Sequence, residues 1–172
     1  MNESMKTLLE RRSCRSYLPK QVEDEVLQQI LQAGLYAPSA RNRQSAIMVV
    51  CRDPEEIALM SRLNAAVLGV DSDPFFGAPC VVVVLADTEV PTWIKDGSLV
   101  LGNLTNAAHA CGVGSCWINR ARQVFDSEEG KALLRKWGVP EHYRGVGNCI
   151  LGYAAAAPNA PAPRKENRIV MR

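Results

Sequence analysis

Apolar positions recur at two periods along this chain, and the switches between them mark out the elements. Met5, Leu8 and Leu9 form a short helical stripe that predicts a first helix ending near Ser13. After Pro19, the recurrence of Val22, Val26, Ile30 and of Leu27, Leu31, Leu35 predicts a second helix from about Val22 to Ala37, stopped by Pro38. A polar loop, Ser39–Ser45, leads into the continuous apolar run Ala46–Cys51, read as a buried strand. Asp53-Pro54-Glu55-Glu56 is a helix start, with Asp as N-cap, Pro at the first helical position and Glu closing a capping box; that helix is expected to run to about Leu68. Gly69–Pro79 is a loop carrying an apolar pair, Phe75-Phe76.

The second half carries the strongest strand signal. Cys80–Ala86 is apolar without interruption, so both faces must be covered and the strand is central. Trp93–Cys111 is expected to be a long helix with a stripe of small residues, Gly102, Asn103, Asn106, Ala107 and Ala110. Small side chains let another backbone or a flat ligand approach closely, and they equally suit tight helix packing; spacing leaves both open. Gly112-Val113-Gly114 breaks the helix and feeds a short strand, Ser115–Ile118, followed by polar Asn119-Arg120. Asp126–Trp137 reads as a further helix closed by Gly138 and Pro140, and Val146–Tyr153 as a last core strand whose glycines predict a bulge or a close neighbour. The Ala/Pro-rich stretch 154–163 is expected to be extended, and the apolar triplet Ile169-Val170-Met171 beyond it to dock on a partner's sheet edge.

Composition narrows the classes. The 172 residues are 47% hydrophobic and 22% charged, which suits one globular domain spanning 1–172. A net charge of +2 provides no global field for nucleic acid, so any basic site is local. No apolar run approaches the ~20 residues of a membrane span, and Met1–Lys6 lacks the apolar core of a signal peptide, so a cytoplasmic location away from membranes is expected. The six cysteines include no C-x-x-C pair and four border apolar runs, which predicts reduced structural thiols and no metal site.

Two basic clusters remain. Arg11-Arg12-Ser13-Cys14-Arg15 places three guanidinium groups within five residues, and Arg164, Lys165 and Arg168 form a second set in the tail. Guanidinium forks suit a phosphate dianion, whereas an unliganded cluster would simply be spread into solvent. Neither cluster lies in a glycine-rich phosphate loop, and Gly112-x-Gly114 follows a helix and lacks a third glycine, so it is no dinucleotide fingerprint. Only Tyr17 among the aromatics lies near either cluster, which speaks against a nucleic-acid surface. With no hydrolase-type triad and no evident acid pair, a cofactor is expected to carry the chemistry.

Four stretches in this order resemble the FMN-dependent nitroreductase family, in particular its short members. They are Glu10–Tyr17, Ala37–Gln44, Asp96-Gly97-Ser98 through Gly114–Asn119, and Leu151-Gly152-Tyr153 with the Arg164-Lys165 tail. The resemblance implies an α+β fold, with a mostly antiparallel sheet flanked by helices, and a homodimer with exchanged C-terminal tails and FMN at the interface. Arg11, Arg12, Ser13 and Arg15 match positions that hold phosphate, ribityl chain and pyrimidine edge. Pro38, Ser39, Ala40 and Asn42 match the loop that reaches the flavin of the other subunit, and Asn64 a flavin-contacting Asn. Trp117, Ile118 and Asn119 match the segment whose backbone amides face N5, and Arg164 and Lys165 a C-terminal phosphate grip. The implied reaction is ping-pong hydride transfer from NADH or NADPH through flavin N5 to a nitroaromatic, a quinone or another flat small-molecule acceptor, with no catalytic side chain. An FMN sensor or store, or a specialised flavin reaction such as reductive dehalogenation, would use the same residues. Ser45-Ala46 follows Gln44 where many members carry Pro-Trp, which leaves the packing beneath that loop open; the connection from Ala86 to Lys95 is short where longer relatives carry covering helices, so the slot is expected to be open or closed by something else.

Overall fold

A computed structural model describes all 172 residues. Four strands, β1 (Ala46–Cys51), β2 (Cys80–Asp87), β3 (Gly114–Ile118) and β4 (Tyr143–Gly152), form one sheet in the order β1-β2-β4-β3 with every pairing antiparallel. Six helices cover it: α1 (Glu3–Glu10), α2 (Asp24–Leu35), α3 (Pro54–Leu68), α4 (Trp93–Ala110), α5 (Ala121–Asp126) and α6 (Glu128–Lys136). Strand alternation sorts β2 between two cores. Val81, Val83 and Leu85 meet α3, α5 and α6, while Cys80, Val82 and Val84 meet α2 and α4. Every residue from Cys80 to Ala86 is fully buried, as the uninterrupted apolar run requires.

Several boundaries depart from the apolar pattern for local reasons. The first helix stops at Glu10, not near Ser13, because the chain turns extended at Arg11 and Ser13 bridges in parallel to Ser115 on β3. Leu18 N–H then donates to Tyr153 O and Ala155 N–H to Ser16 O, so Ser13–Leu18 is laced onto the ends of β3 and β4. The helix expected over 126–137 is two helices meeting at Ser127. Its backbone is extended and its hydroxyl accepts from Gly130 N–H at 3.1 Å, so it caps α6 just where α5 ends. At the start of α3, Asp53 caps Glu55 and Glu56 N–H as expected, but Glu56 does not close the box. Its carboxylate instead pairs with Lys136 Nζ at 2.6 Å and accepts from Trp137 Nε1 at 3.0 Å, tying α3 to α6. The last strand begins three residues earlier than the apolar run and is bulged where Val84 faces Gly147 and Leu85 faces Gly145.

Both readings of the β4 glycines hold, since a Cβ on Gly147 would come within 2.5 Å of Trp117 Nε1. The small-residue stripe of α4 serves helix packing at one point, where Asn103 Nδ2 donates to Ala33 O of α2, whereas Gly102 faces open space. Beyond Tyr153 the chain has no regular structure and every residue from Ala154 on is exposed.

Candidate functional site

The three arginines of the first cluster are held differently. Arg12 turns back, its Nη1 donating to Leu9 O at 2.8 Å and Arg11 O at 2.7 Å, and so satisfies carbonyls left open at the end of α1. Its Nε is buried without a partner. No carboxylate pairs with Arg11, Arg12 or Arg15. Extending the chain at Ser13 sends Cys14 into the interior and leaves Arg15 exposed beside the end of β3.

A cleft of about 280 Å³ opens there. Arg15 stands on it together with Cys116, Trp117, Ile118, Asn119 and Arg120. Trp117 is 41% exposed although it sits in a strand, and its indole lies over Gly147. Beyond Ile118 the backbone turns sharply: Arg120 has φ 73, the left-handed region that costs an ordinary residue roughly 1–2 kcal/mol. Asn64, fully buried on α3, holds this turn. Its Nδ2 donates to Asn119 O at 2.8 Å and its Oδ1 accepts from Arg120 Nε at 3.1 Å. The Asn119 and Arg120 amides donate no hydrogen bond within the protomer. Two adjacent free N–H groups, cations with no counter-charge and an aromatic wall fit a flat ring that bears hydrogen-bond acceptors and carries a phosphate.

Pro38, Ser39, Ala40 and Asn42 are not on this cleft. They form a tight turn around a short 3-10 segment, Ala40–Asn42, with positive φ at Arg41, Asn42 and Gln44. Asp96, nearly buried near the start of α4, organises it by accepting from Ala40 N–H at 3.2 Å, Ser45 Oγ at 2.8 Å and Thr92 Oγ1 at 3.1 Å. Ser45 therefore packs by hydrogen bonding, and a gap of about 100 Å³ remains beneath the loop beside Met48 and Gly34. Asp96 and Arg120 are the residues whose importance the sequence understated. Asp96 lies inside a stretch that carries the resemblance, but only the fold reveals what its carboxylate holds.

Arg164 and Lys165 stand exposed with no hydrogen bond or ion pair in a single protomer. All six cysteines are unpaired thiols. Burial pushes the Cys51 thiol up to about 12 and raises Cys80 and Cys149 as well, so these three stay protonated and inert at neutral pH. A larger cavity, about 840 Å³, meets the cleft at Ser72 and Asp73, and none of the site residues singled out in the sequence lines it. Its arginines are engaged, Arg52 with Asp24 at 2.5 Å and Arg62 with Glu129 at 3.0 Å, so it offers no free cation to a phosphate.

Comparison with known proteins shows what the chain is similar to. Residues 8–153 match the nitroreductase family. A chain of Archaeoglobus fulgidus whose name proposes an NADH dehydrogenase/NAD(P)H nitroreductase is 35% identical over 159 residues, covering 89% of this chain and 86% of its own. A nitroreductase of Bacteroides fragilis, crystallised with bound FMN, superposes with a TM-score of 0.91 at 28% identity over the whole of both chains. A nitroreductase of Desulfitobacterium hafniense, also with bound FMN, gives 0.89 at 27% identity, again over both full chains.

Proposed function

This chain belongs to the nitroreductase family, and from that premise we propose that it is an FMN-dependent NAD(P)H oxidoreductase acting on flat acceptors such as nitroaromatics or quinones. The observation that carries the reading is the meeting of Arg15 with the Trp117–Arg120 strand end in one cleft, about a hundred positions apart in the chain. Bound FMN would supply a ring that takes a hydride from NADH or NADPH and passes it, in alternation, to the acceptor.

The chain's own residues bind and orient. Arg11, Ser13 and Arg15 would hold the phosphate, ribityl chain and pyrimidine edge, with Arg12 shaping the segment by closing α1. The free amides of Asn119 and Arg120 would face the ring at N5, kept in place by Asn64, which acts here as a positioning residue. Ile118 and Trp117 supply the wall. No side chain needs to move a proton, since none on the cleft is paired as acid and base.

The site would be completed in a homodimer. Pro38–Asn42 lies off this cleft yet is rigidly built by Asp96, which suits a loop serving the partner's flavin. Ile169 and Met171, more than 80% exposed, suit a tail that docks on the partner and brings Arg164 and Lys165 to the phosphate. A cytoplasmic location fits the lack of any helix long and apolar enough to cross a membrane.

The absorption spectrum of the purified protein tests the reading, followed by anaerobic addition of NADH and NADPH and then of a nitroaromatic or a quinone. Bleaching of a bound flavin band and its return on adding acceptor is the expected result. A flavin that neither nicotinamide bleaches would make this a flavin store, and a flavin-free protein that takes up no FMN would overturn the assignment altogether.

A further inference from the structure

The pair Phe75-Phe76 has no role in the sites assigned so far, and the fold separates its two rings. Phe75 is buried to 1% exposure in the core under α3, while Phe76 is 38% exposed and stands on the cleft opposite Trp117–Arg120. The separation is imposed by Asp73. Its Oδ1 accepts from Phe75 N–H at 2.8 Å and from Ser61 Oγ of α3, and its Oδ2 accepts from Gly77 N–H at 2.6 Å. The turn it builds forces Phe76 to φ +55 and Gly77 to φ +69. An aromatic residue in the left-handed region is uncommon and persists only where its surroundings over-determine it, commonly at ligand clamps.

The cleft thus has a second wall built at the cost of strain. At about 280 Å³ it lies just under the ~300–1,000 Å³ of whole-ligand pockets. It takes part of a ring system, the remainder extending toward the phosphate cations. We propose that Phe76, set by Asp73, is a flavin-binding residue that covers the pyrimidine end of the isoalloxazine opposite Arg15 and shields it from water. The inference rests on the FMN reading above and adds a residue to that site. Its physical basis is that an aromatic edge or face against a flat ring contributes binding beyond its buried area, and an exposed phenyl ring gains most when it is covered.

The decisive variant is Phe76→Gly, because glycine removes the ring and relieves φ +55 together. Flavin-free wild type, Phe76→Gly, Phe76→Leu and Asp73→Asn are titrated with FMN, following flavin fluorescence, and melted without flavin. Phe76→Gly should bind FMN about three- to tenfold more weakly, with a flavin-free melting temperature equal to or above wild type. Its bound flavin should show a blurred visible band, and Phe76→Leu should fall between the two. Asp73→Asn should weaken FMN in the same direction, since it loosens the turn while leaving the ring present. Phe76→Gly with wild-type affinity and an unchanged band would overturn the proposal while leaving the FMN reading intact. Failure of wild type itself to bind FMN would sink both.

Discussion

Along β2, seven consecutive residues expose nothing, and each side chain's neighbour is dictated by strand alternation. The rim of the candidate site is built the other way. Five of the six non-glycine residues with positive φ lie there or on the loop offered to a partner: Arg41, Asn42, Gln44, Phe76 and Arg120. Each region has its own fastening. Apolar burial secures the sheet, whereas single polar side chains secure the rim: buried Asn64 for Asn119-Arg120, exposed Asp73 for Phe76, and buried Asp96 for Ala40–Ser45. Strain is thus concentrated at the cleft rim and the Ala40–Ser45 loop, and the sheet supplies the stability that tolerates it. Changes in the body should therefore unfold the protein, and changes at the rim should empty it.

Gly130→Ala tests the body most severely. A Cβ there would come within 2.0 Å of Val124 O and 2.7 Å of Phe125 Cα, and backbone cannot step aside as a side chain can. A loss of about 3 kcal/mol, at the upper end of ordinary overpacking, should lower the melting temperature by roughly 6–12 °C, read by circular dichroism. Arg11→Ala and Arg15→Ala test the rim. Each removes a charge-assisted contact of roughly 1.5–3 kcal/mol, so FMN affinity should drop about 10- to 100-fold while the flavin-free melting temperature moves by no more than a degree or two. Equal FMN occupancy in wild type and either variant would dissolve the distinction between the regions.

Asn64→Ala sits between the two and sharpens the line. It leaves Asn119 O and the Arg120 guanidinium without their partner in two partly buried hydrogen bonds, which should cost about 1 kcal/mol of stability and weaken FMN as well, since the amide pair loses its support. Stability lost with flavin binding untouched would show that the turn is merely structural. The smallest effect concerns the α3–α6 tie. Its hydrogen bond with Lys136 holds the Glu56 carboxyl below its usual range, helped by Trp137. A carboxyl depressed in the folded state contributes stability above its unfolded value near 4.3 and loses it as pH falls through the folded value. Glu56→Gln should therefore melt a little below wild type at pH 7, with the two curves converging below about pH 4. A gap that persists in acid would place the effect in packing.

What could be read from residues alone follows these two styles of construction. The central strand, β1 to its last residue, and the capped start of α3 were all visible, because burial on both faces and an Asp-Pro cap leave a local signature. The errors fell where a polar group had two possible partners. Glu56 could cap its own helix or reach Lys136 and Trp137, and it reached. The pattern over 126–137 ran through Ser127, whose hydroxyl ended one helix and began the next. Near Ser13, helical spacing gave way to pairing with β3, a partner about a hundred positions away.

For the candidate site, the sequence by itself determined the charges, the aromatic pair and the four stretches that resemble the nitroreductase family, because residue type and order are what carry them. It also determined the alternation that makes β2 the centre of the sheet. Only the tertiary structure decided that Arg12 closes its own helix while Arg15 stands free, and that Asn64 fastens the Asn119-Arg120 turn. It alone parted Phe75 from Phe76 by a carboxylate three residues before the exposed ring. The physical reason is common to all of them. Hydrophobic burial is additive and nearly non-directional, so its pattern survives in one dimension, whereas a hydrogen bond depends on which partner is within about 3 Å in the folded chain.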